Sequence, residues 1–80
     1  MNNLKEIKLK KDKNTHLYIQ LYESIKTLII EKKLKPDTRL PSIRKFAKNL
    51  NVNNTTIVKA YNLLEEENYV YKKVGSGTFV

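Results

Sequence analysis

The chain has no cysteine, no tryptophan, two glycines, two prolines and one histidine in 80 residues. Without cysteine there is no disulfide framework, and a single histidine cannot complete a zinc site of Cys and His ligands. Neither staple is available, so stability rests on an apolar core. The absence of cysteine fits a reducing interior as well as any other compartment and does not report one. Long apolar runs are missing too. The longest strongly apolar run, Leu28-Ile29-Ile30, is far short of the roughly 20 residues that cross a bilayer. The first residues, Met1-Asn2-Asn3-Leu4-Lys5-Glu6, lack the apolar stretch of a signal peptide. These absences predict a soluble, cytoplasmic protein with no membrane partner. The length allows one small domain, and a chain this short buries only about 60 to 65% of its unfolded surface, which leaves no room for an enclosed active-site cavity. His16 has no spaced nucleophile or carboxylate pair around it, so the chain is not expected to be an enzyme.

Acidic residues are scarce. Eight Asp and Glu stand against 16 Lys and Arg, a formal net charge of +8, which predicts an acidic partner and most often nucleic acid. Fourteen of those cations are lysine and nine further residues are asparagine, a bias that coding preference would also produce, so position must carry the argument. From Arg39 to Lys59 there are five cations (Arg39, Arg44, Lys45, Lys48 and Lys59) and no acid. The acidic run Glu65-Glu66-Glu67 follows, then Lys72-Lys73. Charge is segregated, as a one-sided binding face requires.

Residues 1–14 are polar and lysine-rich, with Leu4, Ile7 and Leu9 as the only anchors, and read as a mostly solvated basic arm or a short edge segment. From His16 to Lys33 the apolar residues follow a helical period. Leu17, Tyr18, Leu21, Tyr22, Ile25, Leu28 and Ile29 share one face, and Asn14 or Thr15 is the expected cap. Ile19 and Ile30 lie off that stripe and are expected to pack against the rest of the domain, with a docking spot for an absent domain as the other reading. Pro36 is expected to break this helix and form a turn, with a very short strand at Thr38-Arg39-Leu40. Leu40-Pro41-Ser42 then opens a second helix capped by Ser42, with Ile43, Phe46, Ala47 and Leu50 inward and Arg44, Lys45 and Lys48 outward. Asn49-Leu50-Asn51-Val52 reads as a tight turn with Asn51 left-handed. Asn53 is the expected cap of a third helix over about 53–67, with Val52 and Ile57 as a hydrophobic staple. Ile57, Ala60, Tyr61 and Leu64 face inward, and Thr55, Val58, Lys59 and Asn62 face away. The three glutamates sit where the helix dipole disfavours acids and are expected to be solvated, and Asn68 is expected to close the helix left-handed. Residues 69–80 hold two β-prone stretches around Val74-Gly75-Ser76-Gly77, a hairpin.

The predicted fold is mainly α with a small β-hairpin: three helices plus a wing, a winged helix-turn-helix over residues 15–80. Two short helices joined by a tight turn, the second starting with small polar residues, place that start in the major groove. Asn53, Asn54, Thr55 and Thr56 offer hydrogen-bonding groups there, Val58 an apolar contact, and Lys59 follows one turn later. Ser42, Arg44 and Lys48 on the preceding helix reach flanking phosphates. Lys72, Lys73 and the Gly75-Ser76-Gly77 tip lie over an adjacent minor groove.

Leu17-Tyr18 with Gln20, Leu40-Pro41-Ser42 with Arg44, Val52 through Thr56, Ala60-Tyr61 and Gly75-Ser76-Gly77-Thr78-Phe79-Val80 together resemble the DNA-binding domain of the GntR family of bacterial transcription regulators. The Leu-Tyr-x-Gln start and the Ala-Tyr pair resemble the MocR branch and, less strongly, the YtrA branch. The resemblance implies sequence-specific operator binding by a homodimer, with Arg44, the first turn of the third helix and the wing tip on double-stranded DNA. Asn54 stands where many relatives carry arginine and Val58 where another base-facing position is often basic. Asparagine pairs bidentately with adenine and valine can touch a thymine methyl, so an A·T-rich half-site is expected. Asn51 and Asn68 replace glycines common in the family.

MocR members continue into a domain resembling pyridoxal-phosphate aminotransferases and YtrA members into a helical dimerisation segment. The 80 residues are therefore expected to be a DNA-reading head without its effector or dimerisation domain, monomeric or weakly dimeric alone. They carry no cofactor, and pyridoxal phosphate would belong to the missing C-terminal domain. Two other readings stand beside this one: a winged helix used as a protein-interaction module, and the non-catalytic head of an aminotransferase-like protein.

Overall fold

The computed structural model describes Leu4 and residues 7–11 and 16–80. Three helices, α1 (Leu17–Ile30), α2 (Ile43–Leu50) and α3 (Asn54–Glu66), precede two strands, β1 (Tyr71–Lys73) and β2 (Gly77–Phe79). Each helix buries one stripe because its apolar residues recur at the helical period. Leu21, Tyr22 and Ile25 of α1, Phe46 and Ala47 of α2, and Ile57, Ala60, Tyr61 and Leu64 of α3 are buried, with α3 packed against both other helices. Leu21, Ile25, Ile57 and Leu64 are fully buried. Truncating one such side chain to alanine costs about 2 to 5 kcal/mol, a large share of a small domain's stability.

The inward stripes hold except at Leu17, which is half-buried outside the core cluster, and at Ile43. Ile43 faces solvent at 37% exposure, because the first residue of α2 lies at the rim of its packed face. Ile30, expected to pack against the domain, is 58% exposed, and Ile19 is half-buried outside the core cluster. Both lie off the stripe that α3 covers.

All three helices end alike. Lys32, Asn51 and Asn68 have φ of 61°, 57° and 65°. Their N–H groups donate to Ile29 O, Lys48 O and Glu65 O, and those of Lys33, Val52 and Tyr69 to Leu28 O, Ala47 O and Leu64 O. This double hydrogen bond satisfies carbonyls that a helix end would otherwise orphan. Asn51 and Asn68 were legible as left-handed residues, whereas Lys32 was not. α1 therefore ends at Ile30, before Pro36 is reached. Pro36 acts further on: Thr38 N–H donates to Lys35 O at 3.1 Å, and Pro36 followed by Asp37 (φ 68°) makes a type II turn. The predicted turn at 49–52 is also displaced, since Asn49 and Leu50 belong to α2 and only residues 51–53 link it to α3.

Caps were predicted more often than they form. Ser42 Oγ accepts from Lys45 N–H at 3.2 Å, as expected. Asn53 occupies the N-cap position of α3 in extended geometry, but its side chain makes no capping bond. At α1 the N-cap is His16, also without a side-chain bond. Asn14 and Thr15, the predicted caps, lie outside the described residues.

The described part of the N-terminal arm is docked, contrary to the solvated arm expected. Leu4 is 3% exposed, and Ile7 and Leu9 pack on the core. Gln20 grips the backbone of Lys10 at two points, Lys10 N–H to Oε1 at 2.8 Å and Nε2 to Lys10 O at 3.0 Å. Lys11 Nζ donates to Asn51 O at 2.6 Å, tying the arm to the turn before α3.

In the wing, Tyr71 pairs with Phe79, Lys72 with Thr78 and Lys73 with Gly77. The predicted strand at 38–40 is a single bridge, Arg39 to Phe79, flanked by Leu40 N–H to Thr78 O and Val80 N–H to Thr38 O, both 2.8 Å. The hairpin is thereby anchored to the segment that leads into α2. No helix among the described residues is long and apolar enough to cross a membrane.

Candidate nucleic-acid interface

α3 presents its first turn outward because the stripe Ile57, Ala60, Tyr61 and Leu64 is turned into the core and leaves the other side of the helix exposed. Asn53, Asn54 and Thr55 are exposed, and Thr56 and Val58 are half-buried. Thr56 N–H donates to Asn53 O at 3.0 Å, while the first N–H groups, of Asn54 and Thr55, lead the helix without an intrahelical acceptor, which favours an anion beside them. With no capping bond to make, the Asn53 amide is uncommitted. Lys59, one turn on, is exposed and carries its Nζ 5.5 Å from the ring centroid of Tyr18 on α1.

One hydrogen bond and one ring contact tie α3 to α2 and the segment that enters it. Tyr61 Oη donates to Pro41 O at 2.8 Å, and the Phe46 and Tyr61 ring centroids lie 6.3 Å apart. Burial raises the Tyr61 phenol well above the ordinary tyrosine range. Arg44, Lys45 and Lys48 all project outward from α2. Among the described residues none of the three has a carboxylate partner, so that face carries uncompensated positive charge.

The two wing lysines have different surroundings, because successive strand residues point to opposite faces. Lys72 turns toward α3, with its Nζ 3.0 Å from Asn62 Oδ1 and 3.5 Å from a Glu65 carboxylate oxygen. Glu65 was expected to be merely solvated, and instead it braces the wing. Lys73 lies on the other face beside Tyr71 and Phe79, whose ring centroids are 5.6 Å apart. Tyr71 Oη donates to Asp37 Oδ1 at 2.6 Å, and that hydrogen bond raises the phenol's pKa. At the tip Ser76 N–H donates to Lys73 O at 2.9 Å across Val74 and Gly75, and Gly75 takes the positive φ, 80°, that the turn requires. Val74, Gly75 and Ser76 are all exposed.

The sequence-predicted residues thus form three groups. Asn53 to Thr56, Val58 and Lys59 share the start of α3. Ser42, Arg44 and Lys48 share the outer side of α2. Lys73, Gly75, Ser76 and Gly77 form the wing, while Lys72 is turned inward to α3. Arg39 was not singled out, although its pairing with β2 brings its guanidinium against Gly77. Its signal was the buried Leu40 beside it, which forces Arg39 to the outer face. Among the described residues no group of three His, Cys, Asp or Glu side chains could hold a metal ion.

The profile of the family described as "Bacterial regulatory proteins, gntR family" matches residues 17–80. The chain belongs to the gntR family. It carries the family's winged-helix DNA-binding domain. It is 39% identical over 72 residues to the probable rhizopine catabolism regulatory protein MocR of Rhizobium meliloti, covering 90% of this chain and 15% of that protein. It is 37% identical over 70 residues to the arabinose metabolism transcriptional repressor of Geobacillus stearothermophilus, covering 88% of this chain and 19% of the repressor. The chain therefore spans less than a fifth of these two relatives. In structure it is similar to YtrA from Sulfolobus acidocaldarius, a GntR-family transcription factor, with a TM-score of 0.87, 38% identity and coverage of 92% of this chain and 78% of that one. It is also similar to AraR(DBD) in complex with operator ORE1, with a TM-score of 0.77, 30% identity and coverage of 90% and 88%.

Proposed function

We propose that this gntR domain reads A·T-rich duplex DNA with the first turn of α3 in the major groove and the wing over the adjacent minor groove. The observation that carries the reading is the start of α3, where Asn53, Asn54 and Thr55 are exposed and the Asn53 side chain is free of capping duty. Asn54 offers an acceptor and a donor in the fork that adenine N6 and N7 match, and Val58 supplies an apolar edge for a thymine methyl. Thr55, Thr56 and Lys59 complete the groove-facing set. Ser42, Arg44 and Lys48 hold phosphates on one flank, and Lys73, Gly75, Ser76 and Gly77 contact the other. Lys72, engaged by Asn62 and Glu65, contributes by fixing the wing against α3.

In the whole regulator two such domains bind two half-sites as a homodimer in the cytoplasm, and the 80-residue chain alone is monomeric or weakly dimeric. The domain itself performs no catalysis. The operator complex of the structurally similar AraR domain supports the DNA reading. Selection from a randomised duplex pool tests it: A·T-rich half-sites are expected. Failure to enrich any duplex, or enrichment of G·C-rich ones, overturns it.

A further inference from the structure

One cation of the wing region is assigned no role by the reading above. Arg39 is held by its bridge to Phe79 and by the flanking hydrogen bonds of Leu40 and Val80, so its backbone is as fixed as the hairpin it joins. Leu40 is 2% exposed, which sends the neighbouring Arg39 side chain to the outer face of the three paired segments. There the guanidinium lies along the bare backbone of Gly77. A Cβ on Gly77 would come within 3.2 Å of Arg39 Nε and 3.7 Å of an outer guanidinium nitrogen. Gly77 also has φ +121°, so this notch is open for conformational and steric reasons together. Lys73 is the register partner of Gly77 and lies on the same face, its Nζ 5.9 Å from the Phe79 ring centroid.

Two cations therefore flank a position without a side chain, and among the described residues neither has a carboxylate partner. Asp37, the acid beside them in the fold, accepts from Tyr71 instead. No carboxylate among the described residues lies within ion-pair distance of Arg39 or Lys73, and a planar guanidinium on a fixed backbone suits a tetrahedral oxyanion bidentately.

We propose that Arg39 and Lys73 hold one DNA backbone phosphate over Gly77, at the base of the wing. The proposal rests on the DNA reading above. It makes Arg39 a phosphate contact that joins the wing to the segment entering α2 and sets how deeply the wing tip is seated. Affinity then depends on Arg39 while base preference does not, because phosphate contacts fix register without reading sequence.

The test measures affinity against salt for the 80-residue chain and its Arg39→Gln and Lys73→Gln variants, using the duplex recovered from the randomised pool, with melting midpoints recorded alongside. Arg39→Gln is expected to weaken binding roughly tenfold. It should reduce the slope of log affinity against log salt by about 0.9, the value of one phosphate contact. The loss should be equal on selected and scrambled duplexes. The double variant should lose less than the sum of the single losses, since both residues serve one phosphate. If Arg39→Gln keeps the wild-type slope while an Arg44→Gln control lowers it, the proposal is overturned and the DNA reading stands. A lowered melting midpoint with an unchanged slope overturns it equally, by making Arg39 a structural cover for Gly77. If the wild-type chain binds no duplex, the DNA reading fails and the proposal fails with it.

Discussion

The hydroxyl of Tyr61 on α3 donates to the carbonyl oxygen of Pro41, 2.8 Å away at the entrance of α2. Two sequence motifs, Leu40-Pro41-Ser42 and Ala60-Tyr61, thereby meet in space. Leu40 fills the core, Ser42 caps α2, and Ala60 and Tyr61 are both buried. The bond ties α3 to the entrance of α2, which explains a tyrosine in a core position where phenylalanine would bury as much apolar surface.

Tyr61→Phe should therefore lower stability by about 1 kcal/mol, the net worth of such a hydrogen bond. In a domain of this size that shifts the melting midpoint by roughly 4 to 8 °C. The substitution also changes the alkaline limb. Burial raises the folded pKa of Tyr61 above the ordinary value of about 10, so its contribution is fully present below pH 10 and is lost as pH rises through the folded value. Thermal melts from neutral to alkaline pH should show a shallower decline in the phenylalanine variant than in the wild type. Parallel declines would remove Tyr61 as the source.

The left-handed helix ends give a second prediction. Lys32 holds φ 61° without the side-chain hydrogen bonding that eases this geometry for asparagine. Lys32→Gly should stabilise the domain by roughly 0.5 to 1 kcal/mol, and Asn51→Ala should destabilise it by about 1 kcal/mol. Urea unfolding of the two variants checks both signs. A destabilising Lys32→Gly would contradict the account of how α1 ends.

The helices, their buried stripes, the Ser42 cap and the glycine turn were legible in the sequence because each is a local pattern: a 3.6-residue period, a capping residue, a residue tolerant of positive φ. Lys32 escaped because lysine has no preference for positive φ, although the bonds that end α1, Lys32 N–H to Ile29 O and Lys33 N–H to Leu28 O, are local. The rest of what escaped was set by tertiary partners. Leu4, Ile7 and Leu9 looked too sparse to dock an arm until Gln20 supplied a two-point grip on Lys10. In the site, the start of α3 was legible as an exposed polar turn. The division of labour between Lys72 and Lys73 was not, because strand register decides which of them meets Asn62 and Glu65. Arg39 escaped for the same reason, since its neighbour Gly77 lies 38 positions away in the chain and is brought close only by pairing with β2.

Base preference should reside at the first turn of α3. Asn54→Ala is expected to erase discrimination of about 1 to 3 kcal/mol at one A·T position of the selected duplex while leaving affinity for scrambled DNA nearly unchanged. Competition assays with single-position variants of the duplex read this directly. An equal loss on all sequences would make Asn54 a backbone contact.

Lys72 should behave unlike a phosphate ligand. Its partners Asn62 and Glu65 already occupy its ammonium, so Lys72→Ala is expected to leave the salt slope close to wild type. The exposed pair itself is worth about 0 to 1 kcal/mol, so the melting midpoint moves little. A slope reduced by about 0.9 would show that Lys72 leaves α3 for the DNA backbone.

Whether the start of α3 and the wing together face DNA is decided by amide chemical-shift mapping of the labelled chain titrated with the selected duplex. The largest shifts are expected on Asn53 to Lys59, on Lys73 to Gly77 and on Arg39, while Glu23, Thr27 and Ile30 on the outer side of α1 stay in place. Shifts centred on α1, or none at the start of α3, would contradict that placement.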